Sequence, residues 1–261
     1  MNLQSVAHRL YASRLERALV AADMLPHHVG VIMDGNRRWA RAAGFDNASL
    51  GHRYGGEHLD DLLRWCGKLR IPHVTVFVCS TENLDRRDAD EIAFLMDVIT
   101  DLAERIRAEP SPTWRLHVAG TLDALPDRAA LALKAAVAAT ETTTSTNANH
   151  LTLAVGYGGR QEVLDAVRDL LLDRAAEGAT IEQIADELTP DDITTRLYNA
   201  GQPEPDLIIR TSGEQRLSNF LLWQSAYSEL YFCDAYWPAF REIDFLRALR
   251  SYGARQRRFG R

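Results

Sequence analysis

The chain has 261 residues, 46% of them hydrophobic, enough to bury one substantial core. Thirty Lys and Arg against 36 Asp and Glu leave a net charge of −6, which argues against a general nucleic-acid binder with a basic face. All the bases except Lys68 and Lys134 are arginine, so a Schiff-base or phosphate-loop lysine has little room, whereas the planar arginine fork suits phosphate or carboxylate.

From the amino end, Leu3, Val6, Leu10, Leu15 and Leu19 recur at roughly helical spacing and predict an amphipathic helix within residues 1–25. It is suited to packing on the domain or to docking on a membrane surface. Arg9, Arg14, Glu16 and Arg17 interrupt it, so it does not read as a signal peptide. No stretch is apolar enough to span a bilayer, and a cytoplasmic protein is expected. Cys66, Cys79 and Cys233 are far apart and form no CxxC pair, which supports neither a disulfide framework nor a cysteine zinc site.

Six short apolar, β-branched runs follow: His28–Met33, His73–Cys79, Trp114–Ala119, His150–Val155, Leu207–Arg210 and Glu229–Phe232. Between them lie helical patterns such as Leu59, Leu62, Leu63 and Trp65; Ile92, Leu95, Met96, Ile99 and Leu102; and Val163, Ala166, Val167 and Leu170. Strand then helix, repeated, predicts one α/β domain over residues 1–261, with a mostly parallel central sheet of about six strands flanked by helices. Thr140–Asn149 reads as a polar loop. Ligands of such sheets bind beyond the carboxyl ends of the strands, so those ends are where chemistry is sought.

The first run leads into Asp34-Gly35-Asn36-Arg37-Arg38-Trp39. A glycine permitting close approach, then two arginines opening a helix, make a diphosphate cradle, with Asp34 placed to hold Mg²⁺; a plain Asp-Gly-Asn turn with solvent-facing arginines is the competing reading. His52, within Gly51-His52-Arg53-Tyr54-Gly55-Gly56, is either structural or a binding residue. The second run ends in Ser80-Thr81-Glu82-Asn83, groups that orient a substrate and shuttle a proton, or cap a helix. In Gly156-Tyr157-Gly158-Gly159-Arg160 the glycines read as backbone geometry. Arg210 and Arg216, with Ser212, Gly213 and Ser218 nearby, form a second anion site or a solvated loop. Two anion sites and one candidate metal acid imply two phosphorylated substrates or one large one. Glu229, inside the apolar run Glu229-Leu230-Tyr231-Phe232, calls for a partner or a metal unless it faces outward.

Taken in order, HHVGVIMDGNRRWA, VTVFVCSTEN, AVGYGGR, PDLIIRTSGEQRLSNFLLWQSAYSELYF, WPAF and RRFG resemble the cis-prenyltransferase, or undecaprenyl diphosphate synthase-like, family from residue 27 to the end. The likeness is greatest to actinobacterial short-chain members that make Z-farnesyl diphosphate. The resemblance implies a Mg²⁺-dependent transferase, a homodimer, that joins isopentenyl diphosphate to an allylic diphosphate such as geranyl diphosphate. The product would carry a new cis double bond, as in (2Z,6E)-farnesyl diphosphate, and grow into an apolar tunnel beside the sheet.

Carried over by position, Asp34 would be the metal-binding catalytic acid, and Gly35, Asn36, Arg37 and Arg38 would hold the allylic diphosphate beside Trp39. Ser80, Thr81 and Glu82 would line the site, with Asn83 assisting proton removal and Arg86, rather than Arg87, as the nearby arginine. Arg210, Arg216 and Ser218 would hold isopentenyl diphosphate, and Glu229 would join the metal site. Arg258 and Gly260 match an RxG ending that reaches the active site across the dimer.

This sequence departs from the family pattern in having no arginine in Phe45-Asp46-Asn47-Ala48-Ser49-Leu50 and in carrying Leu84 where a tryptophan usually stands. Val78, one strand position from the catalytic end, is larger than the residue of long-chain members and favours a short product. A medium- or long-chain synthase and a non-catalytic partner subunit are the alternatives. The intact Asp34–Arg38 segment speaks against the second, and the absence of DDxxD excludes the all-helical trans-prenyltransferases.

Overall fold

Buried strands of a parallel sheet are covered on both faces and therefore read as nearly continuous apolar runs. Four of the six runs do so, Trp114–Ala119 and Glu229–Phe232 being less buried, and all six become strands in the computed structural model, which describes residues 3–22, 24–86, 88–109, 113–141 and 148–256. The order is α1 (Leu3–Ala21), β1 (His28–Ile32), α2 (Asn36–Ala42), α3 (Leu50–Lys68), β2 (His73–Ser80), α4 (Thr81–Arg86) and α5 (Ala89–Ala108). Then come β3 (Trp114–Ala119), α6 (Asp127–Glu141), β4 (Asn149–Tyr157), α7 (Gly159–Ala176), α8 (Ile181–Glu187) and α9 (Pro190–Thr194). β5 (Leu207–Arg210), β6 (Glu229–Phe232) and α10 (Glu242–Gln256) close the chain.

The strands form one six-stranded sheet in the order β3-β4-β2-β1-β5-β6, parallel throughout. Every carboxyl end therefore lies on one edge. The chain passes from β1 to β2 on one side and from β5 to β6 on the other, so adjacent β1 and β5 diverge at a topological switch point, where such sheets open a crevice.

The main core lies on one face, where Val29, Val31, Val74, Val76, Leu151 and Leu153 meet α3, α5, α6 and α10. Leu59, Leu62 and Trp65 of α3, and Leu95, Met96, Ile99 and Leu102 of α5, supply the helical sides of that layer. A smaller cluster on the other face gathers Ile32, Ala154, Tyr157, Ile208 and Phe220. In α1, Leu15 and Leu19 are buried in the main core, Glu16 pairs with Lys68 at 2.6 Å, and the Arg250 guanidinium donates to the Tyr11 hydroxyl at 3.0 Å. The described side chains of α1 thus favour packing on the domain; Leu3, Val6 and Leu10 lie outside the described side chains. Among the described residues no helix is long and apolar enough to cross a membrane. The expected loop is shorter than Thr140–Asn149: Thr140 and Glu141 form the end of α6 and Asn149 opens β4, while residues 142–147 lie outside the described residues. Thr140 is fully buried, and its hydroxyl oxygen accepts the Leu116 N–H at 3.0 Å.

The amino edge of the sheet carries an unexpected histidine array. His28, His73 and His150 stand in register across β1, β2 and β4; the His73 and His150 rings stack at 4.6 Å, and His117 Nε2 lies 3.0 Å from His150 Nδ1. His28 Nδ1 faces the Pro203 carbonyl at 2.7 Å and Nε2 faces Thr75 Oγ1 at 2.8 Å, an arrangement that suits the neutral ring. Burial pushes the pKa of His28 down to about 4; burial, followed by His150, does the same to His117. Because these folded-state values lie below that of an unfolded histidine, the unfolded chain takes up protons first. Their stabilising contribution is therefore complete above about pH 6.5 and is lost toward pH 4. Denaturant unfolding should show lower stability at pH 5 than at pH 7, with His28 alone accounting for about 2 kcal/mol. Equal stability at the two values would contradict the neutral array.

Candidate active site

Asp34 sits just past β1, and Arg210 is the last residue of β5, so the switch point places them side by side. The Asp34 backbone is clamped: its N–H donates to Thr211 Oγ1 at 2.9 Å, and its carbonyl accepts from that hydroxyl at 2.7 Å and from the Trp237 N–H at 3.0 Å. Gly35 then turns the chain with φ +97°, and a Cβ there would lie 2.7 Å from the Tyr236 ring and 2.9 Å from Ser212 Cβ, so only glycine fits. The Asp34 carboxylate accepts from the Gly35 N–H at 2.6 Å, from Arg210 at 2.8 Å and from Arg38 at 3.4 Å. Burial works against its charge, but Arg210, Ser212 and the Gly35 N–H outweigh it and hold the pKa below the usual aspartate range.

Arg210 is buried. One terminal nitrogen serves Asp34, and the other donates to Ser218 Oγ at 2.7 Å and to the Arg216 carbonyl. That geometry fixes the loop carrying Arg216 and Ser218, which Arg210 organises from beneath. Arg38 donates to Ser212 Oγ at 2.7 Å and reaches Glu214 at 3.4 Å, while Glu214 also pairs with Arg216. The two cradles are thus neighbours, joined through Asp34 and Glu214. Arg37 pairs with the buried Glu91 at 2.8 Å, and His52 Nε2 lies 3.3 Å from the same carboxylate. Met33, Asp34, Gly35, Asn36, Arg37, Arg38, Arg41, His52 and Val78 line a cavity of about 310 Å³.

Along β2 the register slips between Phe77 and Ser80, and the strand runs straight into α4. Ser80 Oγ accepts the Asn83 N–H at 3.1 Å, so the capping reading of this segment holds for Ser80 without removing Asn83 or Glu82 from the carboxyl edge. Glu82 accepts from Asn219 at 3.1 Å. Burial opposes its charge too, yet its own N–H and the Ser80, Asn219 and Thr81 side chains lower its pKa.

The structure does not bring Glu229 to Asp34. Glu229 opens β6 opposite Leu207, on the amino edge of the sheet, and pairs with Arg255 at 2.7 Å. Within one chain it is a salt-bridged residue remote from the carboxyl edge, so a single chain does not by itself bring it to Asp34's metal. Trp39 turns into an aromatic group with Phe45 and Tyr54, at ring distances of 5.7 and 5.0 Å, and is not among the residues lining the cavity. The side chain of Arg86, and Arg258 and Gly260, lie outside the described residues. Thr211, Glu214, Glu91 and Asn219 join the site without having been singled out in the sequence. Only Thr211 and Glu214 carried a signal, being polar residues within the first few positions after a strand.

The fold and site define a class: an α/β protein that sets one carboxylate between two arginine clusters at its topological switch point. Residues 32–260 match the family described as "Putative undecaprenyl diphosphate synthase", and the chain belongs to that prenyltransferase family. It is 62% identical to an isoprenyl transferase of Streptomyces fradiae over the full length of both chains. It is 53% identical to a (2Z,6E)-farnesyl diphosphate synthase of Mycolicibacterium smegmatis, over 99% of this chain and 97% of the relative. The crystal structure of lavandulyl diphosphate synthase from Lavandula x intermedia in complex with dimethylallyl diphosphate superposes with a TM-score of 0.80 at 30% identity, covering 88% of this chain and 96% of that one.

Proposed function

We propose that this protein condenses isopentenyl diphosphate with an allylic diphosphate, geranyl diphosphate in particular, to give a short Z-prenyl diphosphate such as (2Z,6E)-farnesyl diphosphate. The observation that carries this reading is the Asp34–Arg210 pair, which sets one carboxylate between two arginine cradles at the switch point. Short-chain Z-synthases among the relatives support the product class.

Gly35, Asn36, Arg37 and Arg38 hold the allylic diphosphate. Because α2 has only seven residues, the two guanidinium groups rather than the helix dipole supply most of the stabilisation as negative charge builds on the leaving group. Glu91 and His52 keep Arg37 aimed at that cradle. Arg216 and Ser218, organised by Arg210, hold isopentenyl diphosphate so that its double bond meets the allylic carbon left by the diphosphate. Asn83, with Thr81 and Glu82 in the first turn of α4 and Ser80 at the end of β2, assists loss of the proton from the condensing carbon.

Asp34 suits Mg²⁺: it is a charged oxygen donor, partly open to the cavity, and such ions take one or two carboxylates together with substrate phosphates. Bound there, Mg²⁺ would neutralise charge on the departing diphosphate. The chain is proposed to act as a cytoplasmic homodimer. The exposed Leu222 and Tyr227, in the segment between the second cradle and β6, are apolar surface that a partner would cover, and Arg258 and Gly260 would reach across it.

Val78 bears on product length, because it borders the cavity beside Asp34. A second cavity of about 490 Å³, with Leu63, Leu102, Ile106, Trp114, Leu116 and Leu151 in its wall, lies toward the amino ends of β3 and β4. It shares no lining residue with the first, so a continuous product tunnel is not shown. Removing two methyl groups with Val78→Ala should shift products from C15 toward C20 and longer; an unchanged distribution on chromatography of the dephosphorylated products would sink this part of the reading. The function itself is tested by offering purified protein isopentenyl diphosphate with C5, C10 or C15 allylic primers, before and after EDTA and with Mg²⁺ restored. The C10 primer should be preferred and one C15 alcohol recovered, whereas a ladder of long alcohols would make it a long-chain synthase.

A further inference from the structure

We infer that Asn219 is a positioning residue that locks the start of α4, with Asn83 and Glu82, onto the anion cradle around Arg210. The inference rests on the reading above, in which both belong to one active site. Asn219 directly follows Ser218 and has a left-handed backbone, φ +66°. Its side-chain oxygen accepts the Arg160 N–H at 2.8 Å, its carbonyl accepts the Gly159 N–H at 2.8 Å, and its side-chain nitrogen donates to Glu82 at 3.1 Å. An amide with a backbone donor on one side and a carboxylate on the other has a single orientation that satisfies both.

One residue thus fastens three separate segments: the loop after β5, the first turn of α7 and the beginning of α4. The glycine pair before α7 makes room for it. A Cβ on Gly158 would lie 2.9 Å from the Asn219 side-chain nitrogen, and one on Gly159 would lie 3.0 Å from its carbonyl oxygen. The Gly-Tyr-Gly-Gly-Arg turn therefore has a purpose beyond turning the chain: it lets Asn219 reach between helices. Ser218 in the cradle and Asn83 on α4 are held in mutual register through this residue, so a small displacement of α4 would misplace the proton-removing end relative to the bound isopentenyl group.

The test separates positioning from folding. Asn219→Asp keeps the size, tolerates the left-handed backbone and still accepts from Arg160, but it loses the donor to Glu82 and sets a second carboxylate against it. We expect kcat to fall about 10²-fold, with KM for geranyl diphosphate changed less than about twofold, because the allylic cradle does not touch Asn219. Combined with Glu82→Gln, whose amide can donate back to the aspartate, the double variant should be about tenfold more active than the product of the two single effects. Asn219→Gly holds a positive φ without steric cost and removes both side-chain bonds. It should lower kcat by a similar factor and serves if the aspartate variant does not fold. Single effects that simply multiply, or a wild-type kcat in both Asn219 variants, would overturn the inference while leaving the proposed reaction intact. An inactive unaltered protein would instead remove the reading on which it rests.

Discussion

Asp34→Asn is expected to lower the condensation rate by about 10³-fold while leaving KM for both diphosphates within a few-fold of the unaltered protein. The substitution is nearly isosteric, so the Gly35 turn and the Thr211 clamp on the backbone survive. What disappears is the charge. The amide retains one acceptor for Arg210 or Gly35, but its NH₂ group then faces a guanidinium, Arg38 or Arg210, that offers only donors. An amide is also a far poorer partner for a hard divalent ion than a carboxylate, so the rate should no longer respond to Mg²⁺ as the unaltered protein's does. The buried Arg210 loses its counter-charge, and a stability loss of about 2 kcal/mol should accompany the kinetic defect. Steady-state kinetics with denaturant unfolding would check both. A variant within tenfold of the unaltered rate would show that Asp34 is a structural partner of Arg210 and not a catalytic group.

Arg210→Lys is the second large effect. The substitution keeps the positive charge and still costs most of the second anion site, because a lysine cannot serve Asp34, Ser218 and the Arg216 carbonyl from one planar fork. KM for isopentenyl diphosphate should rise about 10²-fold at saturating allylic diphosphate, with KM for the allylic substrate much less affected. Equal losses for both substrates would mean that Arg210 does not distinguish the two cradles. The contrast between Asp34→Asn, a rate effect, and Arg210→Lys, an affinity effect on one substrate, follows from their positions. One residue lies between the cradles and the other beneath one of them.

Much of this architecture is legible in the sequence. Strands covered on both faces must be apolar throughout, so Val29–Ile32, Val74–Cys79 and Leu207–Ile209 declare themselves, and polar residues that interrupt the chain at their ends mark the edge where chemistry sits. Glu229 shows the limit of reading composition without direction. It opens its strand, whereas Asp34 follows the end of β1 and Arg210 closes β5; in an all-parallel sheet that alone puts it on the opposite edge. The signal was present, and it is positional rather than chemical.

Other parts depend on packing between distant segments. Nothing local to Glu91 tells that its carboxylate is buried under Arg37 and His52, since it sits in the first turn of α5, where acids are common for helix-dipole reasons. Asn219 is equally silent, because its partners come from α4 and α7, 137 and 59 residues away in the chain. The histidine array is invisible for a related reason: His28, His73, His117 and His150 become neighbours only once strand order and register are set.

The most direct measurement is the geometry of the bond that this chain makes. Purified protein would be incubated with Mg²⁺, isopentenyl diphosphate and geranyl diphosphate, and the dephosphorylated product characterised by NMR alongside the Asp34→Asn variant. A C15 alcohol whose new double bond is Z, absent from the variant, is the result predicted. An E double bond, or a product formed equally well by the variant, would contradict the account in which one carboxylate between two arginine cradles directs cis condensation.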